Sequence, residues 1–407
     1  MTEHTNTPEL RFPEFRDKWS IYKLFEVLKS KTEGMKRGPF GGALKKELFV
    51  GDGYAVYEQR NAIYDNQDFR YFIDENKYKE MILFSVLPGD IIMSCSGTIG
   101  RLSLIPNNYR EGVINQALIR FRTNNAVFNN YFLIYMRSMY MQRKMLEINP
   151  GSAITNLIPV KELKLLDFPL PSLDEQEKIS DFFSKLDRQI ELEEEKLELL
   201  EQQKRGYMQK IFSQELRFKD ENNNNYPEWK IKKLEEISEF QNGKAHENFV
   251  SDTGKFILVN SKFISTESKV KKYVDKQLTP LRINDIAIVM SDVPNGKALA
   301  KCYLIENDNT FTLNQRIGRI FNIEGNSRFL FTQINRNKQL LKYDSGVGQT
   351  NLKKSEIIGI KIYWPNKREQ DKIGDFFINL DSIIEKQSTK VELLKQRKKG
   401  LLQKMFV

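Results

Sequence analysis

Pro171 to Phe212 reads PSLDEQEKISDFFSKLDRQIELEEEKLELLEQQKRGYMQKIF, and Pro365 to Phe406 reads PNKREQDKIGDFFINLDSIIEKQSTKVELLKQRKKGLLQKMF. The two stretches align without a gap at a constant offset of 194. Glu175-Gln176 matches Glu369-Gln370, and Asp181-Phe182-Phe183 matches Asp375-Phe376-Phe377. Leu199-Leu200, Gly206 and Gln209-Lys210 recur as Leu393-Leu394, Gly400 and Gln403-Lys404. So many identities in one register mark an internal duplication, and a repeat constrains the fold before any local propensity does.

Each copy predicts one long helix. Ser172 with Glu175, and Asn366 with Glu369, fit a capping box just behind a proline. Ile179, Phe182, Leu186, Ile190, Leu197, Leu200, Tyr207 and Ile211 then form a single narrow apolar stripe of coiled-coil type. The second copy keeps it with Ile373, Phe376, Leu380, Ile384, Val391, Leu394 and Leu401. No proline interrupts either run, and at about 1.5 Å per residue each helix is roughly 60 Å long. A narrow seam needs a partner. The first helix carries 11 acidic and 7 basic residues, the second 6 acidic and 10 basic. Opposite net charge favours pairing of one with the other over pairing with a second copy of itself. Stripe residues such as Met208 and Leu401 are expected in the core of that pair.

A second relationship closes the repeat into a circle. Leu10-Arg11-Phe12 and Trp19 recur as Leu216-Arg217-Phe218 and Trp229, with an Asn-rich insertion, Asn222 to Asn225, in the second copy. The block that follows the first helix thus opens the chain, while its own matching helix lies at the C-terminus. The pattern predicts that the two ends of the sequence meet and that the halves are related by a pseudo-two-fold axis, with the helices antiparallel.

Between the helices lie two mixed segments. In the first, YAVYEQRNAI (Tyr54 to Ile63) alternates as a strand does, LPGDIIMSCSGTIGRLSLI reads strand, Gly-rich turn, strand, EGVINQALIRF reads as a strand, and Asn129 to Ile148 as a helix. The second repeats the plan loosely. KFILVNSKFI stands for YAVYEQRNAI, Asp285-Ile286 for Asp90-Ile91, Met290-Ser291 for Met93-Ser94, Asn314-Gln315 for Asn115-Gln116, and Thr350-Asn351-Leu352 for Thr155-Asn156-Leu157. Closely related helices with divergent heads suit one scaffold that presents two different reading surfaces. The expected fold is α+β: two globular α/β domains joined by two long antiparallel coiled-coil helices in a pseudo-two-fold circular repeat. The parts are residues 1–170, 171–213 (the first helix), 214–364 and 365–407 (the second helix).

Composition narrows the function. The 407 residues carry a net charge of +10, all of it outside the helices, which points to a polyanionic partner, most simply nucleic acid. Cys95 and Cys302 form neither a disulfide framework nor a metal spacing. No signal peptide or apolar run of membrane length is found, so a soluble cytoplasmic protein is expected. A GxxxxGK[ST] phosphate loop is absent, as are a Gly-rich cofactor loop and the Asn/Asp-Pro-Pro-aromatic motif that a self-contained adenine methyltransferase needs. The only histidines are His4, in the tail, and His246.

This order of elements resembles the specificity subunit of type I restriction–modification systems. The resemblance rests on the helix heads, Pro169-Leu170-Pro171 through Glu175-Gln176 to Ile179 and Pro365 through Glu369-Gln370 to Ile373. In the first head it rests also on Gly38-Pro39-Phe40-Gly41 and Gly97-Thr98-Ile99-Gly100. The second head departs, with Asp292-Val293-Pro294-Asn295-Gly296 in place of the latter turn. The resemblance implies a chain that is not an enzyme. It implies target-recognition domains that bind an asymmetric bipartite site in double-stranded DNA, one half per head, with blocks roughly one turn, about 10 bp, apart. It also implies two methyltransferase subunits docked on the helices, with restriction subunits joining for cleavage. No cofactor is expected on this chain; S-adenosylmethionine, ATP and Mg are expected on the partner subunits. The rival reading is a non-specific coiled-coil architectural DNA binder.

Residue chemistry and loop position select DNA-contact candidates. In the first head these are Lys36, Arg37, Phe40, Lys45, Lys46, Gln59, Arg60, Asn61, Ser96, Thr98 and Arg101. In the second they are Lys244, His246, Asn260, Lys262, Asn295, Lys297, Asn314, Gln315 and Arg316. Cations fix the phosphate register, and amides and guanidinium groups read base edges. Partner docking is expected around Glu175, Gln176, Glu369 and Gln370.

Overall fold

The computed structural model describes residues 7–30, 32–40, 42–148, 159–293, 296–344 and 346–406. It contains two uninterrupted long helices, Leu173–Phe212 and Lys367–Lys404. Packing divides the chain into two compact units, residues 1–194 with 389–407, and residues 195–388. Each unit therefore holds one head and half of each long helix, a division into two rather than the four parts read from the sequence.

Within the first unit the helix halves run antiparallel. Lys390 pairs with Glu193 at 2.5 Å, Lys395 with Glu194 at 2.5 Å, and Lys398 with Asp187. Leu186, Ile190 and Val391 are buried in this unit. The second unit repeats the arrangement with Lys204 on Asp381 and the Tyr207 ring edge-on to Phe376. The Lys398–Asp187 and Lys204–Asp381 pairs occupy repeat-equivalent positions. Cross-helix ion pairs thus form within each unit, with the acids on the first helix in the first unit and the acid on the second helix in the second.

The closure of the circle is visible in single bonds. In the first unit the Leu10 amide donates to the Lys404 carbonyl at 2.9 Å; in the second the Leu216 amide donates to Lys210 at 3.0 Å. Met405 and Phe406 enter the core of the first unit with Trp19, Tyr131, Phe168 and Phe183. Ile211 and Phe212 take that place in the second, with Trp229, Phe329 and Phe377.

The start of each long helix corrects one expectation. Ser172 Oγ accepts from the Glu175 amide at 3.4 Å and Asn366 Oδ1 from the Glu369 amide at 2.9 Å, so half of each capping box forms. The glutamate side chains do not turn back to the cap. Glu175 accepts from two guanidinium nitrogens of Arg11, each at 2.7 Å, and from the Trp19 indole at 3.1 Å. Glu369 takes Arg217 at 3.2 and 2.8 Å and Trp229 at 2.9 Å. A charge-assisted fork to arginine is stronger than a bond to one backbone amide.

Both heads are built on the same plan. A two-stranded antiparallel ribbon, Ser20–Lys23 with Asp167–Leu170, leads into the first long helix; Lys230–Lys233 with Lys361–Trp364 leads into the second. An antiparallel four-stranded sheet follows the order Met35–Arg37, Leu118–Phe121, Ile91–Ser94, Leu102–Leu104. Its counterpart is Glu239–Asn242, Ile317–Phe321, Ile286–Val289, Cys302–Leu304. A second sheet pairs Tyr54–Tyr57 in parallel with Gly112–Ile114, as Phe256–Val259 pairs with Phe311–Leu313. Buried Asp90 holds Arg122 through two 2.8 Å bonds, and Asp285 holds Arg319 at 2.6 Å, which explains why this aspartate recurs ahead of both central strands.

Two elements differ from the sequence reading. YAVYEQRNAI is a strand only over Tyr54–Tyr57; a helix, Gln59–Tyr64, follows, with Asn61 Oδ1 accepting from the Glu58 amide at 2.8 Å at its start. EGVINQALIRF is two strands, Gly112–Ile114 and Leu118–Phe121, in different sheets, with Asn115-Gln116-Ala117 as the crossing between them.

Candidate nucleic-acid interface

The crossing loop is the organising feature of the first head. Gly38, just past the strand Met35–Arg37, lies against it: its amide donates to the Leu118 carbonyl at 2.9 Å, and an added Cβ would stand 1.8 Å from the Asn115 carbonyl oxygen. From the other side the Cys95 amide donates to Ala117 at 2.8 Å, tying in the turn that runs to Arg101. That turn needs Gly97 and Gly100 at φ +65° and +79°. Gln59, at the start of its helix, donates to the Thr98 carbonyl at 3.3 Å. Arg37, Gln59, Ser96 and Thr98 are thereby brought around one crossing, with Phe40 85% exposed beyond Gly38 and Arg101 exposed at the rim. Burial pushes the Cys95 thiol up, against the opposing effect of nearby Arg37.

The remaining first-head candidates fare differently. Lys36 is half-buried, its ammonium 5.3 Å from the Phe84 ring. Lys45 and Lys46 are exposed at the turn into Phe49–Val50. Arg60 turns toward Asp68 at 4.0 Å. Asn61 is corrected: it is buried and uses its amide on Glu58, Asn66 and Asp68. Gln116 is exposed on the crossing loop and absent from the candidates. Its signal was the Asn115-Gln116 match to Asn314-Gln315.

The second head repeats the crossing with other side chains. Gly243 takes the place of Gly38: its amide donates to Ile317 at 2.9 Å, and a Cβ there would meet the Asn314 carbonyl oxygen at 2.0 Å. Next to it stand Lys244 and Asn314, paired as an isolated bridge, and exposed Gln315 and Arg316. The Gln315 amide donates to Glu247 at 2.6 Å, leaving its carbonyl oxygen as the free acceptor. Arg316 holds φ +65°, and its carbonyl accepts from Met290 at 3.0 Å. In place of a Gly-rich turn, the Asp292 carboxylate gathers the amides of Val293, Ala298 and Leu299 at 2.7–3.0 Å. Lys262 and Lys297 are exposed; Asn260 caps the helix Ser261–Ser265 through the Phe263 amide. Asn295 lies outside the described residues, as do His4 and Asn156.

His246 is corrected as a DNA contact. It is fully buried; Nδ1 donates to the Lys244 carbonyl at 2.7 Å, while Nε2 accepts from the Leu278 amide at 3.2 Å and faces Thr312 Oγ1 at 3.0 Å. A backbone N–H can only donate, so the neutral Nδ1–H tautomer is set by the fold. The ring braces the turn that carries Lys244 and Glu247.

The docking residues are corrected too. Glu175, Gln176, Glu369 and Gln370 are at most 1% exposed. Gln176 accepts from Phe128 N at 2.8 Å and donates to Ala126 and Pro171; Gln370 accepts from Asn326 N at 3.0 Å and donates to Pro365. These residues lock each helix to its head and offer no surface to a partner.

Gly38→Ala is expected to push the crossing loop away from the strand, at a cost of about 1–3 kcal/mol in the first head. A thermal melt that matches wild type would show that the close approach is not maintained in solution.

A family model described as the type I restriction modification DNA specificity domain matches residues 17–202 and again residues 226–395, each match running from a head into the helix that follows it. The chain belongs to this family and carries two such domains. It is 26% identical over 313 residues to the type I restriction enzyme MjaVIII specificity subunit of Methanocaldococcus jannaschii, covering 72% of this chain and 73% of that one. Over 347 residues it is 22% identical to the putative MjaX specificity subunit of the same organism, covering 81% and 80%. Its fold matches the type I restriction–modification S subunit from M. genitalium with a TM-score of 0.62, at 18% identity over 98% of this chain and 99% of that one. Among the described residues no helix is long and apolar enough to cross a membrane, and no cluster of three or more His, Cys, Asp or Glu is placed to hold a metal.

Proposed function

We propose that this chain is the DNA-recognition subunit of a type I restriction–modification complex, reading an asymmetric bipartite site with one head per half. The observation that carries the reading is the repeated crossing. A glycine pressed on an Asn-Gln loop recurs in both heads, while the side chains around it differ: Arg37, Phe40, Gln59 and Thr98 in one, Lys244, Gln315 and Arg316 in the other. Shared backbone with unlike reading groups is what two different half-sites require. Catalysis belongs to partners: two methyltransferase subunits with S-adenosylmethionine, and restriction subunits with ATP and Mg, acting in the cytoplasm. The methyltransferases dock on exposed helix faces, where Leu192 and Leu393 of the first unit and Leu199 and Ile383 of the second are about half exposed.

Methylome sequencing of cells that express the chain with its methyltransferase tests the proposal. The expected motif is two unlike short blocks around an unspecified spacer. A continuous or palindromic motif overturns the bipartite reading, and the absence of any motif favours an architectural binder.

A further inference from the structure

The two heads differ in charge around the same strand. Tyr273–Val274 pairs with Phe256–Val259 as Phe72–Ile73 pairs with Tyr54–Tyr57, so Lys271, Lys272 and Lys276 stand where the first head has Arg70, Tyr71 and Glu75. In the first head most charges here are paired, with Lys45 and Lys46, at the turn into the adjoining strand Phe49–Val50, the exposed exceptions. Arg70 pairs with Glu58, Lys77 with Glu80, Lys79 with Glu75 and Arg110 with Asp52, all within 2.8 Å. In the second head Lys269, Lys271, Lys272 and Lys276 are exposed, and among the described residues none has a carboxylate within 4.0 Å.

This basic strand is continuous with the candidate interface. The turn Glu247–Phe249 runs from Lys244 and Gln315 to the strand, where the Asp275 amide donates to Phe249 at 3.0 Å and the Lys276 ammonium stands 5.5 Å from the Phe249 ring. Buried His246 fixes both ends, bonding to Lys244 on one side and Leu278 on the other. The strand is no open edge: the Asp275 amide donates to Phe249 at 3.0 Å and the Ser251 amide to Tyr273 at 3.2 Å, so protection against strand pairing does not account for its lysines. Asp275 is the one acid within the run, and the lysines adjoin a candidate reading surface without ion-pair partners.

We infer that the lysine-rich strand of the second head grips duplex phosphates outside the block that this head reads, so that DNA contact extends further on the second head's side than on the first. The inference rests on the DNA-recognition reading above. Each phosphate neutralised steepens the log–log salt dependence of binding by about 0.9, without adding sequence information.

The test compares the full chain, assembled with its methyltransferase, with the variant K269Q/K271Q/K272Q/K276Q. The probes are duplexes that carry the methylated motif with long flanks, or with the flank removed on one side or the other. The variant is expected to lower the salt slope by about 2–4 and to leave the methylated motif unchanged. Removing one flank, and not the other, is expected to weaken the wild type and to leave the variant unaffected. A slope unchanged in the variant, or equal sensitivity to both flanks, overturns the inference and leaves the lysines as solvated surface charge. A wild-type complex with no preferred site sinks the DNA-recognition reading instead, whatever the variant does.

Discussion

Phe406→Ala is expected to destabilise the first head, more than 200 residues away in sequence, and to leave the second intact. The ring is 8% exposed and packs on Trp19, Tyr131, Tyr135 and Phe183 at centroid distances of 5.6–6.4 Å. Truncating a phenylalanine in such a cluster costs about 3–5 kcal/mol, since the surrounding rings relax only partly into the cavity. Phe212→Ala is the mirror experiment: its ring stacks on Phe377 and meets Trp229 and Phe329, all in the second unit. Hydrogen exchange resolved by peptide reads the outcome. Faster exchange in residues 19–140 for Phe406→Ala, and in residues 229–364 for Phe212→Ala, is the expected pattern. The reverse pattern, or loss spread evenly over both heads, contradicts the circular closure.

Removal of the Glu175 carboxylate should be as severe for a different reason. Glu175→Ala strands the Arg11 guanidinium and the Trp19 indole in a site where Glu175 is 1% exposed. Breaking one partner of a buried pair costs about 3–5 kcal/mol, because the remaining charge has lost its counterion without regaining water. Hydrogen bonding to this carboxylate is also the main reason the Arg11 pKa lies above its ordinary value. Glu175→Gln keeps the shape and one acceptor and should lose less. The double variant R11A/E175A should lose less than the sum of its parts, as expected for groups that act on each other. Thermal unfolding of wild type, R11A, E175A and R11A/E175A supplies the cycle; additive losses would mean that the two side chains do not meet.

The long helices were legible because their signal is local. Apolar residues three, four and seven apart, a capping residue behind a proline and the absence of internal proline specify a helix from its own residues. Two copies at one offset made the reading secure. The LRF and Trp matches at Leu10 and Leu216 exposed the circular order for the same reason: duplication leaves a record in sequence whatever the fold does with it.

What failed did so through partners remote in sequence. Glu175 reads as a capping-box residue until Arg11 is placed beside it, 164 positions away. Glu-Gln at the head of each helix looked like exposed docking chemistry, yet the junction with the head covers it. His246 and Asn61 have the chemistry of base readers, and only tertiary packing shows them turned inward. The exposed lysines of the second head could not be told from paired ones by composition, since Lys77 and Lys79 of the first head look the same until Glu80 and Glu75 are seen against them.

The sequence by itself determined the duplication, the two helices, the circular order and the unlike heads, because periodicity and repeat register need no distant contact. The tertiary structure alone decided which polar groups face outward and which crossing of backbone arranges them. Burial and ion pairing depend on residues brought together from opposite ends of the chain.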